Sequence, residues 1–567
     1  MITCKICIED RNYKNWQLYL DGTLDKVDAP DKFCPIKSKL FSGDVFTLNT
    51  KTGEVSLLHS VLQASTNIPG VLVLSGITYG RKGKKMLYKL IPDDRRLPIF
   101  LAGKEIKRMG HSKYVVNNYV VFKYSNWDNK HPHGTLLNTL GTVESLDNFY
   151  EYQLYCKSLY ASIQEFSRDT SRVLKKKSED EYIDQIMSTY ENIEDRLHYN
   201  VISIDPVNSK DFDDAMSIQI INDNKYIISI YISNVSIWLD ALGLWESFSE
   251  RISTIYLPDR KRPMLPTCLA DCLCSLIENL RRFTVTCDVE ITDNKITNIS
   301  YKNTLIRVKK NYRYEEIDMH NDNVYQTMLS KVKILSKSHK FVRNVTDSHD
   351  VVAYLMILMN YYTAKEMINS KNGIYRSAVL GKVPELPDEL PDEFVKFIKI
   401  WNSSGGQYVT YCDDIKHDIL DLDSYVHVTS PIRRLPDLLN IIILQKNLGL
   451  TTLTDNASDF YNHWLNRLEY INTTMRAIRR VQVDCNLLHY VMTNENVLDK
   501  VYDGNIFDMI RRNDGLYQYI CYIPEIKLVS RLTVREEMYE YKDIKLKLYI
   551  FIDEDRLQRK IRIQMIS

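Results

Sequence analysis

An α+β multidomain protein, with small β-barrels on either side of a mixed α/β centre, is predicted by three observations. Residues 37–101 and 114–141 break into short apolar strands punctuated by glycines. Residues 498–567 return to that pattern, with an aromatic face of the kind a five-stranded OB-type barrel carries. Between them, residues 200–490 alternate strand-like and helix-like runs, including a buried-helix pattern over 351–370. The chain has 567 residues, too many for one ordinary domain. An N-terminal extension is expected at 1–36, barrels at 37–110 and 111–165, and a linker at 166–199. A catalytic domain follows at 200–495 and a last barrel at 496–567.

Composition narrows the function classes. The formal charge is +1, so a nucleic-acid surface must come from local segregation of charge, not from a basic whole. Eleven cysteines are scattered without a secreted-type framework, and Cys4–Cys7 form a lone CxxC, weak as a zinc signal. Cys268, Cys272 and Cys274 lie among leucines and are read as ordinary buried thiols. The first ten residues lack a signal-peptide core, and the longest apolar run, 351–359, is far short of a membrane span. A reducing, cytoplasmic setting and no membrane are expected.

Within the second barrel block, residues 119–127 carry four aromatic rings, Tyr119, Phe122, Tyr124 and Trp127, with Lys123 among them. Such a face suits single-stranded nucleic acid, because bases stack on rings and phosphates pair with cations. Taken singly, each ring also suits barrel core. The charged run 172–181 is read as a solvated connection.

Chemistry concentrates in VISIDPVNSKDFDDA, residues 201–215. A short apolar strand ends at Asp205, a Pro–Asn–Ser turn follows, and alternation resumes through Met216, Ile218 and Ile220. Asp205, Asp211, Asp213 and Asp214 are thereby aimed at one place. Like charges so crowded are unfavourable unless protons or cations lie among them. Oxygen ligands in that number suit Mg²⁺, or Mn²⁺, better than zinc. An isolated acidic turn of this kind is as often a solvated surface.

A basic counterpart occurs at YVHVTSPIRRLPDL, residues 425–438. Ser430–Pro431 has the form of a helix start, whose free N–H groups suit a phosphate. Arg433 and Arg434 add permanently charged, forked donors. Pro436 is awkward inside a helix, so regular helix is expected to begin, or to kink, near Leu435.

The two motifs together resemble the ribonuclease II (RNB) family, which includes RNase R and the exosome catalytic subunit. The family pattern I-D-P-x-x-[AS]-x-D-x-D-D-A is matched at every specified position by residues 204–215. Residues 425–438 match a second pattern except at Val428 and Leu435. YLPDRKRPMLP (256–266) with LCSL (273–276) matches a third. The resemblance implies two N-terminal cold-shock-like OB domains, a central RNB domain and a C-terminal S1-type domain, without a PIN-type domain. It implies processive 3′→5′ hydrolysis of single-stranded RNA to nucleoside 5′-monophosphates with Mg²⁺ by a monomer acting on an RNA 3′ end. Asp205, Asp211, Asp213 and Asp214 would hold metal. Asp213, Asp211 and Arg433 would be catalytic, and Tyr256, Arg433, Arg434 and Trp127 would bind RNA. The chain departs from the family where Tyr354 replaces a Glu and Ile441 a His, and in a shortened segment, 316–350, where no base-clamping role falls to Phe341. A silent RNA-binding scaffold of the same fold is the alternative. A calcium-binding or phosphatase-like acidic site leaves the flanking barrels unexplained.

Overall fold

The computed structural model describes residues 1–105, 116–339, 341–342, 344–381, 386–387, 389–403, 405–412 and 415–566. They divide into two compact units, one of residues 1–160, 257–259 and 480–567, the other of residues 161–256 and 260–479.

The first unit holds three sheets. Strands Lys26–Val27, Trp16–Leu20, Ile2–Ile8, Val45–Leu48 and Val55–His59 lie side by side in that order, all antiparallel. Residues 1–36 are therefore not an extension: Ile2–Ile8 is the central strand. Its Cys4, Ile6 and Ile8 are buried on one face at the two-residue period of a strand. Cys4 belongs to that apolar row, and its spacing to Cys7 has no metal-binding meaning.

Ile68–Val73, Asn118–Asn126, His133–Thr142, Phe100–Lys104 and Lys85–Pro92 form the second sheet, and Lys85–Pro92 pairs back onto Ile68–Val73. That closure makes one barrel from strands on both sides of the expected 110/111 boundary. The boundary and Tyr114 lie outside the described residues. Two separate barrels at 37–110 and 111–165 are thus replaced by sheets over 2–59 and 68–142. Strand pairing between residues fifty apart, invisible to local periodicity, decides it. The two sheets share one apolar core, and Trp127 is part of it. Its ring lies 5.0 Å from Phe41 and 6.5 Å from Tyr13, and only 4% of the residue is exposed. The expectation that Trp127 stacks on RNA is corrected: the ring is buried in the core beside Phe41 and Tyr13, out of reach of a base. The third sheet, Leu528–Val534, Tyr517–Ile523, Tyr502–Arg511, Asp543–Asp553 and Gln558–Met565, is antiparallel with a core of its own.

In the second unit the charged run 172–181 is largely exposed, as expected, and its middle, residues 175–178, links two helices. Gln164–Leu174 is followed by Glu179–Thr189, which opens with a capping box between Ser178 and Glu181. Three acidic groups of the second helix have partners: Glu179 pairs with the buried Arg282, and Asp180 and Asp184 with Arg281.

The centre of this unit is a sheet of β1 (Val201–Asp205), β2 (Asp214–Ile220), β3 (Lys225–Ser233), β6 (Arg281–Thr292) and β7 (Lys295–Arg313). Between β3 and β6 the chain inserts a two-stranded ribbon, β4 (Ile255–Tyr256) and β5 (Lys261–Arg262). The long β7 pairs antiparallel with β6 through its first half and parallel with β1 through its second, so the ring β7-β1-β2-β3-β6 closes on itself. β3 pairs with β2 over residues 226–232 and with β6 over 225–233, and both of its faces are buried from Ile228 onward. Helices α1 (Ser348–Asn369) and α2 (Leu435–Leu448) supply much of the remaining buried surface. Tyr354 is fully buried in α1 and Ile441 in α2, so both departures from the family pattern are core positions here. Phe341 packs against Tyr354 and Tyr361 at 5.5 and 5.6 Å between ring centres. No described helix is long and apolar enough to cross a membrane. Cys274 is buried as expected, whereas Cys272 is exposed.

Trp127→Ala is expected to cost ~3–5 kcal/mol by leaving a cavity between Phe41 and Tyr13. Denaturant unfolding of the full chain measures this. Weakened RNA binding at unchanged stability would restore the stacking role.

Candidate active site

β1 ends at Asp205, whose backbone carbonyl accepts from Tyr314 N–H at the end of β7. The chain then leaves the sheet, turns through Asn208 in the left-handed region (φ 72°), and returns at Asp214, the first residue of β2. Asn tolerates that conformation better than most residues, which explains its place in the turn. The LCSL segment pins the loop: Ser275 Oγ donates to the Lys210 carbonyl and accepts from Phe212 N–H, and Leu276 N–H donates to the Phe212 carbonyl. A 620 Å³ cavity opens here, lined by Asp205, Lys210, Asp211, Asp213, Asp214, Tyr256, Lys261, Asp271 and Arg433 together with the turn residues.

Residues 430–434 reach this cavity as an extended turn rather than as a helix end. Ser430 does not cap a helix; its N–H donates to Asp437 Oδ1, and α2 begins at Leu435 with Pro436 in its first turn. Proline is tolerated there because its N–H would have no partner in any case. Ser253 Oγ and Thr254 N–H both donate to the Arg433 carbonyl at 2.9 Å, which fixes the backbone.

The two arginines part company. Arg433 Nε donates to Asp213 Oδ2 at 2.9 Å and its Nη2 to Ser430 Oγ at 3.0 Å, while 46% of the side chain remains exposed. Arg434 is bound by both its Nε and Nη2 to Asp437, a fully buried carboxylate. It does not line the cavity, so its expected RNA contact is corrected. A buried Asp437 needs a permanent counter-charge, and Arg434 is the residue that supplies it.

The four aspartates also divide. Asp213, 2% exposed, accepts Ile432 N–H on Oδ1 and Arg433 on Oδ2. Asp211 accepts Tyr256 Oη–H on Oδ2 and Lys261 Nζ–H on Oδ1, each at 2.9 Å. Among the described residues no such cation bonds Asp205 or Asp214, and Asp205 Oδ2 is buried without a hydrogen-bond partner. Burial pushes Asp205, Asp213 and Asp214 up to about 7; Arg433 and Ile432 N–H oppose the rise at Asp213, and the negative charge of Asp205 adds to it at Asp214. All four expected aspartates line the cavity, and two of them, Asp211 and Asp213, have both oxygens on protein donors. Among the described residues, no three His, Cys, Asp or Glu side chains converge as a preformed ion site. An orphaned oxygen on Asp205 beside Asp214 does fit Mg²⁺, which commonly takes one or two carboxylates and fills its remaining positions with water and substrate phosphate.

Other groups here escaped sequence reasoning. Lys261 is held by Asp211 and Asp271 together, and occupies an unspecified position of the YLPD motif. Tyr314 stacks on His349 with 3.7 Å between ring centres, and burial together with Asp214 and Asp205 pushes its hydroxyl pKa up. Only the β4–β5 ribbon and the strand order bring these residues to the site. Tyr256, as expected, faces the cavity, with 38% of its surface exposed.

Residues 193–343 match a family described as the RNB domain. Ribonuclease R of Ureaplasma parvum is 38% identical over 123 residues, 22% of this chain and 17% of that protein. The chain spans less than half the length of the ribonuclease R relatives it matches first. A solved structure of Mycoplasma genitalium RNase R in complex with ribose-methylated single-stranded RNA superposes with a TM-score of 0.70 at 16% identity, covering 99% of this chain and 100% of that one. Yeast Ssd1, described as a pseudonuclease, superposes with a TM-score of 0.57 at 13% identity over 94% of this chain and 78% of its own. The likeness in fold thus extends to a nuclease and to a pseudonuclease.

The raised carboxyls fix a pH dependence. Asp205 and Asp214 hold protons up to about pH 7 in the fold, against an ordinary value of 3.8. The native state therefore binds more protons than the unfolded chain in that window, and metal-free stability falls as pH rises through it. Mg²⁺ bound to the ionised pair is expected to raise Tm more at about pH 8 than at about pH 5. Calorimetric melts with Mg²⁺ or EDTA at both pH values check this; Asp205→Asn should remove the difference.

Proposed function

We propose, from the premise that this chain carries an RNB domain, that it is a 3′→5′ exoribonuclease. It would hydrolyse single-stranded RNA processively and release nucleoside 5′-monophosphates. The observation that carries this reading is the Asp213–Arg433 pair, a buried carboxylate holding a half-exposed guanidinium at the mouth of an acidic cavity. A surface arginine paired for stability alone would have no reason to stand beside Asp205 and Asp214, two raised carboxyls with no ion-pair partner among the described residues.

The division of labour follows from the contacts. Asp213 and Ser430 hold Arg433 by Nε and Nη2, and among the described residues no partner takes Nη1, which is left to donate to a phosphate oxygen. A guanidinium held in advance stabilises charge that grows on the phosphoryl oxygens without reorganising during the reaction. Asp205 and Asp214 would hold Mg²⁺ or Mn²⁺, which when bound supplies an acidified water and neutralises a nonbridging oxygen. Tyr256 is held at the cavity edge by its hydrogen bond to Asp211, so its ring is positioned for a terminal ribose or base. A cavity in the roughly 300–1,000 Å³ range of enclosed ligand sites suits the end of one strand.

With 5′-labelled single-stranded RNA and Mg²⁺, the full chain should give a ladder that shortens from the 3′ end, with nucleoside 5′-monophosphate as the co-product. RNA that is bound and never shortened would establish the scaffold reading instead. Arg433→Ala should lower the hydrolysis rate about 10²–10³-fold, the loss expected for removal of one preorganised charge donor. Asp213→Asn should nearly abolish hydrolysis and leave RNA affinity in a filter-binding assay unchanged. Loss of RNA binding in the same variant would mark Asp213 as structural.

A further inference from the structure

Lys261 opens β5 directly opposite Tyr256 in β4. Cross-strand partners project from the same face of a ribbon, and here both reach one carboxylate: Tyr256 takes Asp211 Oδ2 and Lys261 takes Oδ1. Asp271, on the helical turn Leu269–Leu273, accepts a second hydrogen bond from Lys261 at 2.6 Å. The Lys261 side chain is only 24% exposed and those of Asp211 and Asp271 9% and 13%, so solvent screens this cluster weakly. An ammonium is a compact point charge, able to stand where a small cation would among oxygens.

The charges of the cavity point the same way. Its lining holds five carboxylates (Asp205, Asp211, Asp213, Asp214 and Asp271) against three cations (Lys210, Lys261 and Arg433). With all of them ionised, two negative charges remain, which one divalent ion balances. Asp211 has both oxygens occupied by Lys261 and Tyr256, and Asp213 both by Arg433 and Ile432 N–H.

We propose that Lys261 is the built-in cation of this site: held by Asp271, it occupies Asp211, so the site takes one divalent ion, on Asp205 and Asp214, rather than two. This rests on the nuclease reading above and refines its metal requirement. Lys261 is a positioning residue, acting through Asp211 and through the charge it adds to the cavity.

Counting bound Mn²⁺ tests this without RNA, by electron paramagnetic resonance of the free ion during titration of the full chain. Wild type should bind one Mn²⁺, Lys261→Arg one, and Lys261→Met two, because Asp211 and Asp271 then lack a counter-ion. Asp211→Asn should leave Mn²⁺ affinity within about twofold, whereas Asp205→Asn should weaken it more than about tenfold, since Mg²⁺-type sites rest on one or two carboxylates. Two Mn²⁺ in wild type, an unchanged count in Lys261→Met, or a tenfold loss in Asp211→Asn would each overturn the proposal. Asp211→Asn decides the matter even where Lys261→Met does not fold. The two readings fail separately. One Mn²⁺ with RNA left intact removes the nuclease, and shortened RNA with two Mn²⁺ removes the built-in cation.

Discussion

The contact on which the candidate site depends is the one between Asp213 and Arg433. A carboxylate almost wholly removed from water is costly as an ion, and burial alone drives it toward its neutral form. Arg433 and the Ile432 N–H oppose that, and in exchange Asp213 orients the guanidinium. Each residue is held by a separate backbone: Asp213 by its carbonyl's bond from Ser233 N–H in β3, Arg433 by Ser253 and Thr254. The pair therefore joins the barrel to the segment before α2, and neither side chain is free to drift.

Around that pair the remaining charges are sorted by partner. Arg434, next to Arg433 in sequence, turns away to Asp437. Asp211, two residues before Asp213, is taken by Lys261 and Tyr256. Asp205 and Asp214 take no such cation among the described residues, and burial raises the proton affinity of both, as it does that of Asp213. Carboxyls in that condition favour either a proton or a cation. A site built this way is primed by its own electrostatic imbalance.

The barrel architecture explains why these residues meet. β1 and β2 are neighbours in the ring, so the loop between them projects both of its ends, Asp205 and Asp214, from one rim. The β4–β5 ribbon brings Tyr256 and Lys261 to the same rim from the insertion between β3 and β6. In the other unit the aromatics behave differently. Trp127, Phe41 and Tyr13 fill a core shared by two sheets, because a small barrel has few other ways to occupy its interior.

Local spacing in the sequence determined the strand–turn–strand of residues 201–220, the acidic motif within it, the start of α2 near Leu435 and the mixed α+β class. All of these are set by contacts a few residues long. It could not determine which charge meets which. Adjacent arginines with the same chemistry differ only in the counter-ion that packing brings to each, and the four aspartates differ only in whether a cation from a distant segment arrives. The sheet boundaries in residues 1–142 were hidden for a related reason. Strand order is set by pairing across fifty residues, as between Ile68–Val73 and Asn118–Asn126, and the alternation that marks each strand carries no record of its neighbour. Tertiary structure alone decided these points, because the energy of a buried charge depends on what surrounds it in space and not on what precedes it in the chain.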